Sequence, residues 1–463
     1  MTADQMDVAG RVLDLVRAAA GASVEAEVLV DHTALSLTRF ANSFIHQNVA
    51  DATTSVRLRL HLDGRTAAGS TTIVDRDGLS GLVERTIAAA RLCPPDPGWP
   101  GLAPPAPVAG PGNCDAATVH ASPDERAERV RAFVEAAGGL ETAGFCRTLH
   151  VAAAFANSAG QSVRGQTAEA AMDGVARVDG ADGVARLAAG RLSDVDGATL
   201  GARAAAKARA GLKPVELPPG RYAVVLEPAA VGDILQNLAL FGFNGKAVAE
   251  RRSFAEIGAQ QFDKTITLTD DALGAGDLGL PFDVDGTPKR RLTLVEAGVT
   301  RAVAHDRRTA AEVGAEPTGH ALPGGTTWGA FPQNLRMAPV GGDDPAPAEA
   351  PGPVADASVA ALVAGVERGI LVTDFWYTRV LDPKSLVVTG LTRNGVWLIE
   401  RGEVTQPVRN FRFTQSYPQA LGPDAVLGVG ASAATLPESW GFAWWTAPAL
   451  RLSSWNFTGG ASG

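Results

Sequence analysis

The sequence is poor in the residues that several large functional classes need. Its only cysteines are Cys93, Cys114 and Cys146, an odd number at no metal-ligand spacing, with none beyond residue 146. That excludes a disulfide framework and a cysteine-based metal module, and it reads as reduced thiols of a cytoplasmic protein. No block of lysine and arginine occurs, the net charge is -9 and the pI is near 5.4. Neither a nucleic-acid footprint nor an anionic-membrane patch is therefore expected. No stretch reaches the ~18 apolar residues of a membrane span, and the N-terminal MTADQMDVAGRVLDLVRAAAG lacks an uninterrupted apolar signal core. Absent too are a G-x-S-x-G elbow and any pair of histidines at metal-binding spacing. What is present is a globular composition: 463 residues with 46% hydrophobic content, enough for two to three domains with sizeable cores.

Along the chain, Val8, Val12, Leu15 and Val16 give residues 3–20 a helical period, and β-rich runs follow at 27–37, 44–49 and 53–62. Leu79, Leu82, Val83 and Ile87 mark a helix over 77–92. Proline and glycine crowd 94–112, so a linker or long loop is expected over about 94–121. Ser122 with Pro123 then predicts a helix start, with Ser122 as N-cap. Strand-like texture over 147–180 precedes a helix over 196–210. Phe40-Ala41-Asn42-Ser43 recurs as Phe155-Ala156-Asn157-Ser158, each time before strands and an Asp-Gly helix start. Duplication and coincidence both account for four matched residues. From Gly220 the texture turns β-rich, and residues 340–357 form a Pro/Ala/acid-rich insert expected to be mobile. The expected class is α+β. An N-terminal α/β lobe, residues 1–219, lays helices on an antiparallel sheet, and a β-rich, barrel-like antiparallel lobe spans 220–463.

Arg221 to Phe254, RYAVVLEPAAVGDILQNLALFGFNGKAVAERRSF, is a short strand running into a helix whose polar face presents Asp233, Gln236 and Asn237. This stretch resembles the TldD/PmbA, or modulator-of-DNA-gyrase, family. Further matches are Asp283, Gly286, Glu296, Gly298, Asp306, Thr309, Ala310, Thr318, Gly319 and His320, a Pro-x-Asn-Leu at 332–335, and a hairpin with Gly395, Ile399, Glu400, Gly402, Glu403, Pro407 and Val408. Catalytic relatives carry H-E-x-x-x-H on this helix and a later cysteine as third zinc ligand. At the matching positions stand Gln236, Asn237 and Phe241, and no cysteine follows. An amide is a poor zinc ligand beside imidazole, asparagine is no general base near neutral pH, and phenylalanine has no donor.

The resemblance is to the PmbA/TldE branch. It implies a non-catalytic subunit that binds no metal itself, pairs with a zinc-bearing TldD-like paralogue and helps enclose unfolded peptides. Such an assembly is a heterodimer or larger, with a homodimer left open. His320 and Asp306, in a Gly/Pro-rich region, are substrate or interface candidates, although a lone histidine is more often a hydrogen-bonding residue. Trp440, Trp444, Trp445 and Trp455 crowd the C-terminal tail, and core packing and partner anchoring are evenly matched readings of them. Two readings from other classes remain: a stand-alone hydrolase using His305 or His320 with Asp306, and a purely regulatory assembly protein.

Overall fold

The structure, a computed structural model, describes residues 4–274, 276–341, 356–437 and 443–460. Most of the 340–357 insert, and Trp440, therefore lie outside the described residues. The N-terminal lobe opens with helix α1 (Gln5–Ala20), capped by the Asp4 carboxylate on the Met6 and Asp7 amides. Strands β1 (Glu25–Ala41), β2 (Phe44–Leu62) and β3 (Arg65–Thr71) follow, then α2 (Arg76–Leu92), capped by Asp75. After the short α3 (Ala116–Val119) the same order returns. Helix α4 (Pro123–Ala136) begins at a Ser122/Glu125 capping box. Strands β4 (Glu141–Asn157), β5 (Ser162–Val178) and β6 (Ala181–Ala189) precede α5 (Gly197–Ala210), capped by Asp196.

These six strands form one antiparallel sheet in the order β3-β2-β1-β4-β5-β6, so the two helix–three-strand–helix units meet about the central β1–β4 ladder. An Asp-Gly turn with both residues at positive φ joins β2 to β3 (Asp63, Gly64) and β5 to β6 (Asp179, Gly180). The two β-rich runs expected at 44–49 and 53–62 are one strand of 19 residues, because β1 pairs with it from Glu25 to Ala41 across the polar middle. Alternation along the sheet decides its two faces. Val28, Val30, Val56, Leu58 and Leu60 pack on α1 and α2, whereas Leu29, Leu149, Val151, Ala153 and Phe155 turn to the other lobe.

The second lobe is built on β7 (Gly220–Leu226), β12 (Arg368–Asp382), β13 (Val387–Glu400), β15 (Phe411–Ser416) and β17 (Trp444–Gly460). They pair in the order β7-β12-β13-β15-β17, and β17 returns to β7, which closes the barrel. Strands β8 (Leu268–Asp270), β9 (Leu292–Glu296), β10 (Val299–Thr300) and β11 (Asn334–Met337) extend the sheet from β17. On its flanks β14 (Glu403–Pro407) pairs with β13 and β16 (Val426–Thr435) with β17. All ladders are antiparallel except β7–β12 and β11–β17.

Trp455 is wholly buried, stacked on Phe375 at 5.0 Å between ring centroids and flanked by Phe413 and Tyr417. Adjacent residues on β17 point to opposite sides, as a strand requires. Trp445 joins the main core, while Trp444 faces the N-terminal sheet beside Leu149 and Val151, where its indole N–H donates to Glu169 at 3.1 Å. Trp444, Trp445 and Trp455 are therefore not partner anchors, a correction to that reading. Their apolar area is consumed inside the chain, one of them at the seam between lobes. The Gly/Pro-rich segment 94–121 is likewise no free linker. Its 103–113 stretch lies along the N-terminal sheet, with Gln166 N donating to Pro111 O at 2.7 Å.

Candidate functional site

Helix α6 (Pro228–Asn237) leaves β7 with Glu227 at the N-cap position and Pro228 in its first turn. Ala230, Val231, Ile234, Leu235 and Leu238 face the core. Gly232 lets the helix come close to the chain after β16, for a Cβ there would lie 2.1 Å from Leu436 Cδ1. The polar face is held by Asp233. Its Oδ1 accepts from Thr378 Oγ1 at 2.7 Å, and its Oδ2 accepts from Tyr417 Oη at 2.7 Å and Asn237 Nδ2 at 3.3 Å. Burial pushes the Asp233 carboxyl up from 3.8 to about 6, against the lowering effect of the two hydroxyl donors. In the sequence Asp233 shows only as a polar-face residue. Its partners come from β12 and from residue 417, more than 140 positions away in sequence, so no local signal could announce them.

Directly after Asn237 the helix widens into a π-turn over Leu238–Gly242, with Phe243 N donating to Leu238 O at 2.8 Å. Two residues five apart lie about 140° from each other round a straight α-helix. A turn of i→i+5 bonds is the local device that brings such positions toward one face, and it recurs at functional sites. Position 236 lies just before this turn and position 241 within it. The side chains there are an amide and a phenyl, with the Asn237 amide between them, and Asn237 is occupied with Asp233. This donor set does not fit zinc. Among the described residues there is no cluster of three His, Cys, Asp or Glu side chains arranged to hold a metal ion.

The far end of the π-turn is braced by the motif segments of residues 283–335. Gly245 opens α7 (Gly245–Ala249) in direct contact with them; a Cβ on it would fall 2.4 Å from Ala304 O and 2.6 Å from His305 Nδ1. Asp306 caps α8 (Arg307–Val313) through the Thr309 amide at 2.7 Å and hydroxyl at 2.8 Å. His305 Nδ1 meets Thr309 Oγ1 at 3.2 Å, and the Thr318 hydroxyl joins His305 to His320. His320 is fully buried and its Nε2 lies 2.9 Å from Asp270 Oδ1, while Asp270 Oδ2 accepts from Asn334 N at 2.6 Å.

The pairing of either histidine with Asp306 as a hydrolytic dyad is thereby corrected. The carboxylate of His320 is Asp270, and Asp306 is spent on a helix cap. Nor is His320 a substrate contact, since no part of it reaches the surface. The family-like residues Asp306, Thr309, Thr318, His320 and Asn334 form a buried frame behind the helix. Asp283 belongs to the seam between lobes. It accepts from the amides of Asp285, Thr287 and Ala321, and Gly286 in the same turn abuts the Phe155 ring.

Compared with known proteins, residues 219–459, more than half of the chain, match the family model described as the PmbA/TldA metallopeptidase C-terminal domain. A curated protein named Metalloprotease, from Methanothermobacter thermautotrophicus, is 28% identical over 124 residues. That stretch is 26% of this chain and only 27% of the relative's own length. TldE from Thermococcus kodakarensis shares the fold with a TM-score of 0.83 at 18% identity, over 96% of this chain and 99% of that one. Proteins described as modulators of DNA gyrase do likewise. The one from Thermotoga maritima has a TM-score of 0.79 at 18% identity, over 97% and 100% of the two chains. The one from Bacteroides thetaiotaomicron has 0.80 at 21% identity, over 99% of each.

Proposed function

Because the chain belongs to the PmbA/TldD metallopeptidase family, we propose that it is the non-catalytic, TldE-like subunit of a two-component metalloprotease that degrades or matures unfolded peptides. Its role is to shape the chamber and bind substrate, while a zinc-bearing TldD-like paralogue supplies the metal and the activated water. What supports this reading is the donor set Gln236, Asn237 and Phe241, standing where the family resemblance places the metal-binding residues, on a helix that runs into a π-turn. Asn237 cannot take a proton from water near neutral pH, and the amide Nδ2 it offers is already donated to Asp233. The chain itself binds no zinc, and its partners are the paralogue and an extended peptide; nucleic acid and membrane are not among them.

Elemental analysis after chelator-free purification tests the first half of this. Zinc far below one per chain is expected. Stoichiometric zinc would overturn the assignment of roles. Size-exclusion chromatography with the paralogue from the same host tests the second half, with co-elution expected and separate elution contradicting it.

A further inference from the structure

The internal repeat of the N-terminal sheet leaves one edge covered and its counterpart bare. In the second unit β6 pairs with β5 only from Ala170 to Val178. Beyond it, β5 is covered at Gln166 and Ala168 by the chain's own 111–113 stretch. Gln166 N donates to Pro111 O at 2.7 Å and Ala168 N to Asn113 O at 3.2 Å. The approach is close enough that a Cβ on Gly112 would stand 2.2 Å from Gln166 O. In the first unit β3 pairs with β2 only from Val56 to Leu62. Between Phe44 and Ser55 β2 is bonded to β1 alone, and among the described residues no backbone group meets its outer side. Twelve residues of strand give an open edge of about 40 Å.

Sheet proteins ordinarily blunt such an edge with lysine, proline or a bulge. Here the run FIHQNVADATTS has Asp51 as its one charge and no proline, and its one bulge, at His46, lies at its start and leaves Gln47 to Ser55 in regular register with β1. At its start Phe44 is 57% exposed and, with Ile45, Val130 and Val134, lines an open cleft of about 500 Å³ between β2 and α4.

We propose that the outer edge of β2 from Phe44 to Ser55 binds an extended peptide, which adds as a further strand and lays one apolar side chain in the cleft beside Phe44. The occupant is argued from the fold itself. The equivalent edge is filled by an extended, Gly/Pro-rich segment held through its carbonyls, which is main-chain recognition with little demand on sequence. The inference deepens the peptide-binding role proposed above and rests on it, by assigning that role a place.

The test uses the full chain with fluorescein-labelled casein as the unfolded probe, read by anisotropy, and by hydrogen exchange of the β2 amides. Casein at saturation is expected to slow the outward amides between Phe44 and Ser55 by about tenfold or more. The double variant Ala50→Lys/Ala52→Lys, at two exposed positions, is expected to weaken casein binding about tenfold with unchanged circular dichroism. Casein binding that leaves those amides unaffected would overturn this placement and spare the peptide-binding role. Concentration-dependent protection without casein would mean that the edge pairs with a second copy, and would overturn it as well. No casein binding at all would overturn both.

Discussion

Asp233 takes its surroundings from residues far from it in the sequence. Its carboxyl is raised from 3.8 to about 6 by burial, so between those values the folded chain holds a proton that the unfolded chain has released. Stability from this group is then greatest below about pH 4 and declines as pH rises to about 6, levelling off above. Asp233→Asn removes the titration and keeps one of the two oxygens that Thr378 and Tyr417 donate to. We expect wild type to lose melting temperature relative to Asp233→Asn between pH 4 and 6. A difference independent of pH in that interval, measured by calorimetry, would contradict the raised carboxyl. The residues of the site that could be read from sequence were those in short motifs, such as Asp306, Thr309 and His320. Their roles were not legible, because the partner of His320 is Asp270, fifty positions earlier.

At the scale of elements, helix starts were legible wherever a short polar side chain precedes an apolar period, as at Asp75, Ser122 and Asp196. The π-turn was not, since Leu238–Gly242 is an ordinary apolar stretch whose tertiary neighbours, such as Phe254 beside Gly242, are not announced locally. That turn sharpens what restoring the helix motif would do. The triple change Gln236→His, Asn237→Glu, Phe241→His would set two imidazoles about one wide turn. It would also exchange the Asn237 amide, now a donor to Asp233, for a second carboxylate beside a buried one. With no third ligand and a like-charge contact, weak or no zinc uptake and no peptidase activity are expected. Zinc-dependent casein cleavage by this variant alone, well above an unmutated control, would contradict the account.

For the whole molecule, the α+β class, with an antiparallel N-terminal sheet and a β-rich second sheet, followed from texture, but the seam between the sheets did not, because its contacts join distant residues. Arg59 on β2 reaches Glu27 on β1 at 2.5 Å and Asp285 of the second lobe at 2.7 Å. Arg186 on β6 bonds Asp374 on β12 at 3.1 Å, and Lys207 on α5 bonds Glu227. Burial raises the Glu27 carboxyl to about 8 even with Arg59 beside it. Removing the cation by Arg59→Ala leaves two buried carboxylates without it and is expected to cost about 3–5 kcal/mol at pH 8. Part of that loss should be regained at pH 5, where the carboxyls can hold protons. Urea unfolding showing an equal loss at both values would contradict this account of the seam.

The central claim is the division of labour between this chain and a zinc-bearing relative. Casein hydrolysis by the chain, by the TldD-like paralogue and by their equimolar mixture measures it most directly. No cleavage by the chain alone is expected, and a rate for the mixture well above that of the paralogue alone. Cleavage by this chain in isolation, or a mixture no faster than the paralogue, would contradict that claim.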